Sequence, residues 1–475
     1  MNARLLPRGL ALLLLAGCAA VGPDYAPPQA PAAAGWTEQD AALPAAPAET
    51  GDWWRQLDDP VLDGLVERAV RQGLDVREAL ARVREARAFR GVAASEQLPT
   101  LDANLLWERR GESDSTPLGS FVPDTTLYRA GFDASWELDV WGRVRRSVEA
   151  ADADLAATLE DARGVLLTVV AETARTYVDL RAFERRIEIA RTNVALQEET
   201  LALAQTRLDA GLVGDRDVAQ AQSTVETTRS LVPQLEVGRR AAANRLAVLL
   251  DLPPGELEAE LAGSRPIPVP PAEVAVGVPA DLLRRRPDVR SAERVLAAET
   301  ARIGVAEGDL YPRLVLLGTL GLAADDPGDV ADKDSSFFSL GPFVRWNLFD
   351  GGRLRQLVEA QDARAEQARV RWERTVLAAF EEAENAMTGF VREQARRASL
   401  QRAESQALRA VELAQTEYRE GLTDFQAVVD TERTVAALQD DLAQSEATIA
   451  TQAVALYKAL GGGWEHAEPV ARAEP

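Results

Sequence analysis

One cysteine, one histidine and two methionines occur in 475 residues, and aromatic residues make up 5% of the chain. A single histidine (His466) and a single cysteine (Cys18) exclude a His/Cys metal cluster, a Ser-His-Asp triad and an internal disulfide. Chemistry carried by carboxylates alone is not excluded by counting. Basic residues are outnumbered, 53 Lys and Arg against 75 Asp and Glu, for a net charge of −22. That balance argues against nucleic acid as a partner, because phosphate calls for basic patches. Beyond the N-terminal segment no run approaches the ~20 apolar residues of a membrane-spanning helix. Any membrane crossing must therefore use strands closed into a barrel. Proline is missing from 143–210 and from 353–420, and each of these runs holds one glycine, Gly164 and Gly389.

What is present begins with a leader. Arg4 and Arg8 precede the apolar stretch 10–15, and Leu15-Ala16-Gly17-Cys18 resembles the site at which bacterial lipoproteins are cleaved before cysteine. The alternative is an ordinary signal peptide with an incidental cysteine. On the lipoprotein reading, residues 1–17 are removed with two arginines and no acids, which takes the charge from −22 to −24. Cys18 then carries covalent lipid, the one cofactor-like group expected. Ala19 rather than aspartate after it favours the outer membrane. Two or more acyl chains, at ~0.8 kcal/mol per CH₂, anchor stably. Residues 18–50, rich in Pro and Ala, read as an extended tether without a core of its own.

The body is written twice. Leu203-Ala204-Gln205-Thr206 and Gly211-Leu212 return 210 positions later as Leu413-Ala414-Gln415-Thr416 and Gly421-Leu422. Trp136, Gly142 and Arg143 return as Trp346, Gly352 and Arg353 at the same offset of 210, and Asp75-Val76-Arg77 returns as Asp288-Val289-Arg290 at an offset of 213. The first copy covers 51–265, a Pro-rich linker 266–279, the second copy 280–461, and a tail 462–475. Repeats of this kind seldom close a core singly.

Each copy reads helix, two strands, long helical hairpin. The first helix is expected over about 60–96 and its counterpart over 280–308. After Pro99 the period becomes two: Leu101, Ala103, Leu105 and Trp107 alternate with polar residues. Tyr128, Ala130, Phe132, Ala134, Trp136, Leu138 and Val140 alternate with Arg129, Gly131, Asp133, Ser135, Glu137 and Asp139. This hairpin alone does not decide between a soluble sandwich and a membrane barrel. The second copy is expected to supply strands over about 312–322 and 338–349, flanking an acidic loop, 325–334. Calcium there is conceivable in chemistry, but the spacing does not match an EF-hand. From Gly142 and Gly352 the pattern turns helical for some 68 residues each, on the order of 100 Å of helix, too long for a globular helix and suited to a coiled coil. Gly211 and Gly421 turn the chain, and antiparallel helices return over about 218–250 and to about 460, the first through Pro233.

Four strands cannot close a barrel, and open edges are not tolerated in lipid. Two chains would give eight strands and a filled interior; three give twelve and a lumen, which the polar strand faces favour. The fold class expected is thus an α+β membrane tube. Its internally duplicated protomer trimerises into a 12-stranded β-barrel continuous with an α-helical barrel.

This arrangement resembles the TolC-like outer-membrane efflux proteins, lipoprotein branch, which serve resistance-nodulation-division (RND) pumps. The resemblance covers about residues 18–461 and rests on Val21-Gly22-Pro23-Asp24-Tyr25, Trp53-Trp54 with Asp59-Pro60, Ser135-Trp136-Glu137-Leu138-Asp139 and Trp141-Gly142-Arg143. It also rests on Thr176-Tyr177-Val178-Asp179-Leu180-Arg181, Pro279-Ala280-Asp281-Leu282-Leu283-Arg284-Arg285-Arg286-Pro287-Asp288, Tyr311-Pro312-Arg313 and Leu348-Phe349-Asp350-Gly351-Gly352-Arg353. It implies a homotrimer in the bacterial outer membrane, extending into the periplasm. Its partners would be a periplasmic adaptor (membrane fusion) protein and an inner-membrane RND transporter, and its task passive export without catalysis. The duct of a metal-efflux or type I secretion system is an alternative within the class. A non-porous, periplasm-spanning coiled-coil lipoprotein is one from another class, against which the amphipathic strands argue. A carboxylate-dependent cell-wall hydrolase would need a cleft, which sustained helical periodicity does not offer.

The resemblance also assigns residues. Gly211, Leu212, Gly421 and Leu422 become adaptor-docking tips. Val429-Asp430 matches the apolar-then-aspartate motif of the periplasmic gate, with Arg433 one turn along as the expected partner of Asp430. Glu432 stands where the family more often carries an uncharged residue and is expected to compete for Arg433. Ala427 lacks the second acid that some members carry. The barrel lumen is expected to present Arg129, Asp133, Glu137 and Asp139, an acid-rich lining suited to cations. The run Arg284-Arg285-Arg286 is expected to pair with acidic neighbours rather than to hold phosphate.

Overall fold

The computed structural model describes residues 20–29, 35–48, 50–113, 115, 123–263 and 265–465. The expected leader, Cys18 and His466 lie outside them. Two compact units divide the described chain. One is built from parts of Met1–Gln29, Val83–Leu159 and Ser291–Trp372, the other from parts of Ala30–Arg82, Glu160–Arg290 and Glu373–Pro475. Each unit draws on both sequence copies.

In chain order the elements are α1 (Pro60–Gln72), α2 (Leu74–Ser95), β1 (Thr100–Arg110), β2 (Thr125–Leu138), α3 (Arg143–Asp209), α4 (Asp215–Leu249) and the short α5 (Glu258–Leu261). There follow α6 (Pro279–Arg285), α7 (Pro287–Gly308), β3 (Arg313–Ala324), β4 (Ser336–Arg345), α8 (Arg353–Glu420) and α9 (Phe425–Ala459). The expected helix over 60–96 is two helices. Gly73 separates them: a Cβ there would lie 2.5 Å from the Ala69 carbonyl oxygen and 3.1 Å from that of Leu249. The expected helix over 280–308 is likewise two, parted at Arg286, which is extended ahead of Pro287 as a pre-proline residue prefers. The last strand starts earlier and stops earlier than the alternation suggested. Trp346 leaves it to donate its indole N–H to the Leu310 carbonyl at 3.1 Å. Helix α4 continues through Pro233.

The four strands form one antiparallel sheet in the order β1-β2-β3-β4. Leu105 faces Ala130, Phe132 faces Leu320, and Leu320 faces Phe338, so one face of the sheet is apolar across all four strands, while the other mixes Arg129, Asp133 and Glu137 with apolar residues such as Leu317 and Phe337. The apolar face is bare: Leu105 is 88% and Phe338 82% exposed. A face so apolar and so exposed is what a lipid-facing strand surface requires. The first unit also binds the start of the tether. Arg146 donates to the Val21 carbonyl at 3.0 Å, the Gly22 carbonyl at 3.1 Å and Asp24 at 2.7 Å. A Cβ on Gly22 would lie 2.4 Å from the Gly304 Cα, so only glycine passes there.

The second unit holds the main core. Trp53 and Trp54 are 1% and 0% exposed, and Trp53 stacks on Tyr457 at 5.1 Å. Leu62, Leu65, Leu246, Leu250 and Leu460 pack in the same cluster. Burying each such side chain contributes about 1.5–3 kcal/mol. Asp59 caps α1 by accepting from Val61 N at 2.9 Å, and its other oxygen accepts the Tyr177 hydroxyl at 2.6 Å. The later tether residues are not a free spacer. The amide of Val274 donates to the Ala42 carbonyl and that of Val276 to the Pro44 carbonyl, while Leu43 is buried in the core. Of the arginine run, Arg285 donates to the Ala48 carbonyl at 3.0 Å. Arg286 is buried and binds Asp288 at 2.7 Å, Glu382 at 2.8 Å and the Ala459 carbonyl at 3.1 Å.

Candidate functional site

Both long hairpins end in the same turn. Gly211 takes φ of +71° and Gly421 of +77°, a conformation glycine adopts without cost. Leu212 N donates to the Arg207 carbonyl at 2.9 Å and Leu422 N to the Glu417 carbonyl at 2.8 Å. Gly211 N and Gly421 N close the inner bonds to Leu208 and Tyr418 at 2.8 and 3.0 Å. These paired bonds define the Schellman end of a helix. The leucine after each glycine does not fold back: Leu212 is 66% and Leu422 73% exposed.

Beneath the turns lies a small core of their own, formed by Ala204, Ala221, Ala414, Tyr418, Phe425, Val428 and Val429. Tyr418 meets Phe425 edge-on at 5.3 Å, and the Arg207 guanidinium lies 4.5 Å from the centroid of the Tyr418 ring. Arg207 also donates to the Tyr418 carbonyl. Asp424 starts α9 by accepting from Ala427 N at 3.1 Å.

The structure places Asp430 and Arg433 one turn apart on α9 but does not pair them. Asp430 accepts from Gln426 Nε2 at 2.6 Å, and Arg433 donates to Thr224 Oγ1 on α4 at 3.2 Å. Within the protomer, the expected ion pair is therefore replaced by two hydrogen bonds that hold each side chain separately. Glu432 does not compete for Arg433 either. It points the other way, is buried, and accepts on Oε1 from Thr200 Oγ1 at 2.6 Å and Gln415 Nε2 at 3.0 Å. Burial raises its pKa above the ordinary glutamate value; the hydrogen bonds from Thr200 and Gln415 oppose that shift. Sequence reasoning missed this bond set, in which one carboxylate ties α9 to both α3 and α8. The apolar residues around position 432 at helical spacing were the available signal.

In the sheet, Arg129, Asp133 and Glu137 do share the polar face. Asp133 accepts from Asn104 at 2.6 Å and Thr319 at 2.8 Å, and Asp102 sits opposite it. The Arg129 guanidinium lies 4.3 Å from the centroid of the Phe337 ring. Glu137 is matched by Arg143 at 3.0 and 3.1 Å. Asp139 is not a strand residue. The strand ends at Leu138, and Asp139 accepts from Val144 N at 3.1 Å and Arg145 N at 2.9 Å, satisfying the open amides at the start of α3. Two of the four expected lining charges are thus committed to the strand-to-helix junction. Among the described residues no group of acidic, histidine or cysteine side chains is arranged to hold a metal ion, the acidic loop included. None of the described helices is long and apolar enough to cross a membrane.

An amphipathic four-stranded sheet joined to duplicated helical hairpins defines an outer-membrane channel protomer, and comparison with known proteins agrees. Residues 65–251 and 278–462 match the outer membrane efflux protein family, and the chain belongs to it. Nodulation protein T of Rhizobium leguminosarum bv. trifolii is 32% identical over 466 residues, covering 97% of both chains. Pyoverdine export outer membrane protein OpmQ of Pseudomonas putida is 32% identical over 476 residues, covering 98% of this chain and 99% of its own. The solved outer-membrane channel OprN superposes with a TM-score of 0.87 at 35% identity, covering 94% of this chain and 99% of its own. The protein is an outer-membrane exit duct of the kind that works in tripartite RND efflux, extending into the periplasm. Its fold is that of the trimeric channels, in which each protomer supplies four strands to the barrel. The relatives are channels, not enzymes.

Proposed function

We propose that this duct receives small molecules from a periplasmic adaptor and an inner-membrane RND transporter and releases them outside without chemistry of its own. One observation carries the docking part of that reading. Two turns with the same hydrogen-bond pattern each expose a leucine, at 66% and 73%, next to a positive-φ glycine. Exposed apolar side chains on a preorganised backbone are inexpensive contact points for a partner. Gly211, Leu212, Gly421 and Leu422 are thus the adaptor contacts, and Asp430 and Arg433 the gate behind them. Cys18 is the lipid anchor. Arg129 and Asp133 line the barrel, with Glu137 at its rim. Cargo choice rests with the pump, and the names of relatives extend from pyoverdine export to toluene efflux.

Planar bilayer recording tests the gate. Asp430→Ala with Arg433→Ala removes the Gln426 and Thr224 bonds that hold these side chains. Conductance or leak of the double variant should rise; unchanged conductance sinks the gate assignment. For docking, Leu212→Asp with Leu422→Asp should abolish crosslinking to the adaptor while leaving conductance intact.

A further inference from the structure

Between α3, α4 and α9 a groove of about 570 Å³ opens in the second unit. Small residues contribute to its lining, among them Ala436 and Ala437 on α9 and Ala190 on α3. Gly238 on α4 lies so close under Phe183 that a Cβ would stand 2.4 Å from the ring. Leu231 and Leu235 complete apolar walls. A space of this size, apolar with a few polar groups, has the character of a small-molecule site.

Its polar groups are unequally satisfied. Arg186 and Asp440 neutralise each other through paired bonds of 2.6 and 3.0 Å. Arg433 also lines the groove, yet it donates to the neutral hydroxyl of Thr224, and it forms no ion pair among the described residues. Gln197, 3% exposed and facing the same space, has a carbonyl oxygen with no hydrogen-bond partner. A buried acceptor left bare is costly enough to call for a partner. The unmatched charge is therefore cationic, and the unmatched neutral group is an acceptor.

We infer that this groove binds a small amphipathic anion. An apolar body fills the space beside Phe183, Leu235 and Ala437. A carboxylate or sulfonate accepts from Arg433, whose planar fork suits two-oxygen heads. Binding stands independently of the gate assignment, since it needs only the unpaired guanidinium. If Arg433 also serves the gate, an occupant withdraws it from that task.

The test uses the full protein, assembled in lipid nanodiscs, with empty discs as blank. The probes are 2-naphthoate and its neutral twin 2-naphthamide, and saturation-transfer NMR reads binding. Naphthoate should bind at least ~10-fold more tightly than the amide, the gain expected of a charge-assisted pair. Arg433→Gln should bring naphthoate down to the amide's affinity. Ala437→Leu should weaken both by ~10-fold or more by filling the space; if that variant fails to assemble, Ala436→Val supplies the same arm. No saturable binding above empty discs, as when a neighbouring copy covers the groove, overturns the inference. So does equal affinity for the two probes, or undiminished binding by the filled variant.

Discussion

Replacing Glu432 by leucine tests whether a buried carboxylate fastens the helical tip. Glu432 is 7% exposed, and its Oε1 accepts from Thr200 on α3 and Gln415 on α8. Leucine fits the apolar surroundings but takes the acceptor away. Thr200 is 6% exposed, so its hydroxyl loses its partner in a place water does not reach. Leaving a buried polar group unsatisfied costs about 1–3 kcal/mol. Thr200 can fall back on a carbonyl of its own preceding turn, which sets the low end. Gln415 is half-buried and can turn to solvent, so it adds little. Local opening of the tip should then become roughly five- to 150-fold more frequent. Removing both partners, Glu432→Leu with Thr200→Val, should restore most of the loss, because matched apolar replacements leave nothing orphaned. Amide hydrogen exchange read by mass spectrometry on peptides around 200–222 and 410–434 measures the opening. Peptides around Trp53, in a separate core, serve as the internal standard. Unchanged protection in the single variant refutes the reasoning, and so does a double variant no better than the single.

The raised pKa of Glu432 has a definite sign. The folded tip binds the proton more tightly than the opened tip, so this stabilisation is complete below the ordinary glutamate pKa of about 4.3 and is lost as pH rises through the folded value. Exchange protection of the tip, corrected for intrinsic rates, should decline over that rise, and Glu432→Gln should flatten the decline. At the barrel, Asp133→Asn should lower cation preference in bilayer recordings. Asp139→Ala should leave selectivity unchanged and instead cost about 0.5–2 kcal/mol of stability, the loss of a helix cap. Arg286→Leu removes bonds to Asp288, Glu382 and the Ala459 carbonyl, but both acids remain exposed to water. The cost should be about 1–3 kcal/mol, smaller than for a pair whose remaining charge stays buried. It should be seen as a lower melting temperature of the full protein in detergent.

Period and punctuation made most of the wall legible. Alternation at 100–110 and 125–138, and proline-free runs after Gly142 and Gly352, located strands and long helices to within a few residues. Errors fell where alternation outlasted the strand. Val140 and Asp139 continue the pattern, yet Asp139 is drawn off by two backbone amides of α3. A carboxylate that serves as a lining charge and one that caps a helix look the same in sequence. Gly73 carries no distinctive signal in the sequence, since a glycine in a helical pattern is usually tolerated, whereas here the approach of Ala69 and Leu249 forbids a side chain. The pairing of Asp430 with Arg433 was expected from one-turn spacing. Spacing brings such groups within reach without supplying a reason to meet, and Gln426 and Thr224 were nearer at hand.

The duplication itself poses a sharper question at the tip. Position 222 of the first copy corresponds to Glu432 of the second, 210 residues on. Gln222 is exposed and donates within its own helix, to Glu226 at 3.0 Å. Glu432, at the same point of the same motif, is enclosed by helices of both copies. The two return helices are therefore not equivalent: α9 is packed on a side that α4 leaves to solvent. Gln222→Leu should change tip protection by no more than about 0.5 kcal/mol, as exposed substitutions do, whereas Glu432→Leu opens the tip. Equal effects at the two positions would mean that the copies are still interchangeable and that the enclosure of Glu432 is not what fastens the mouth.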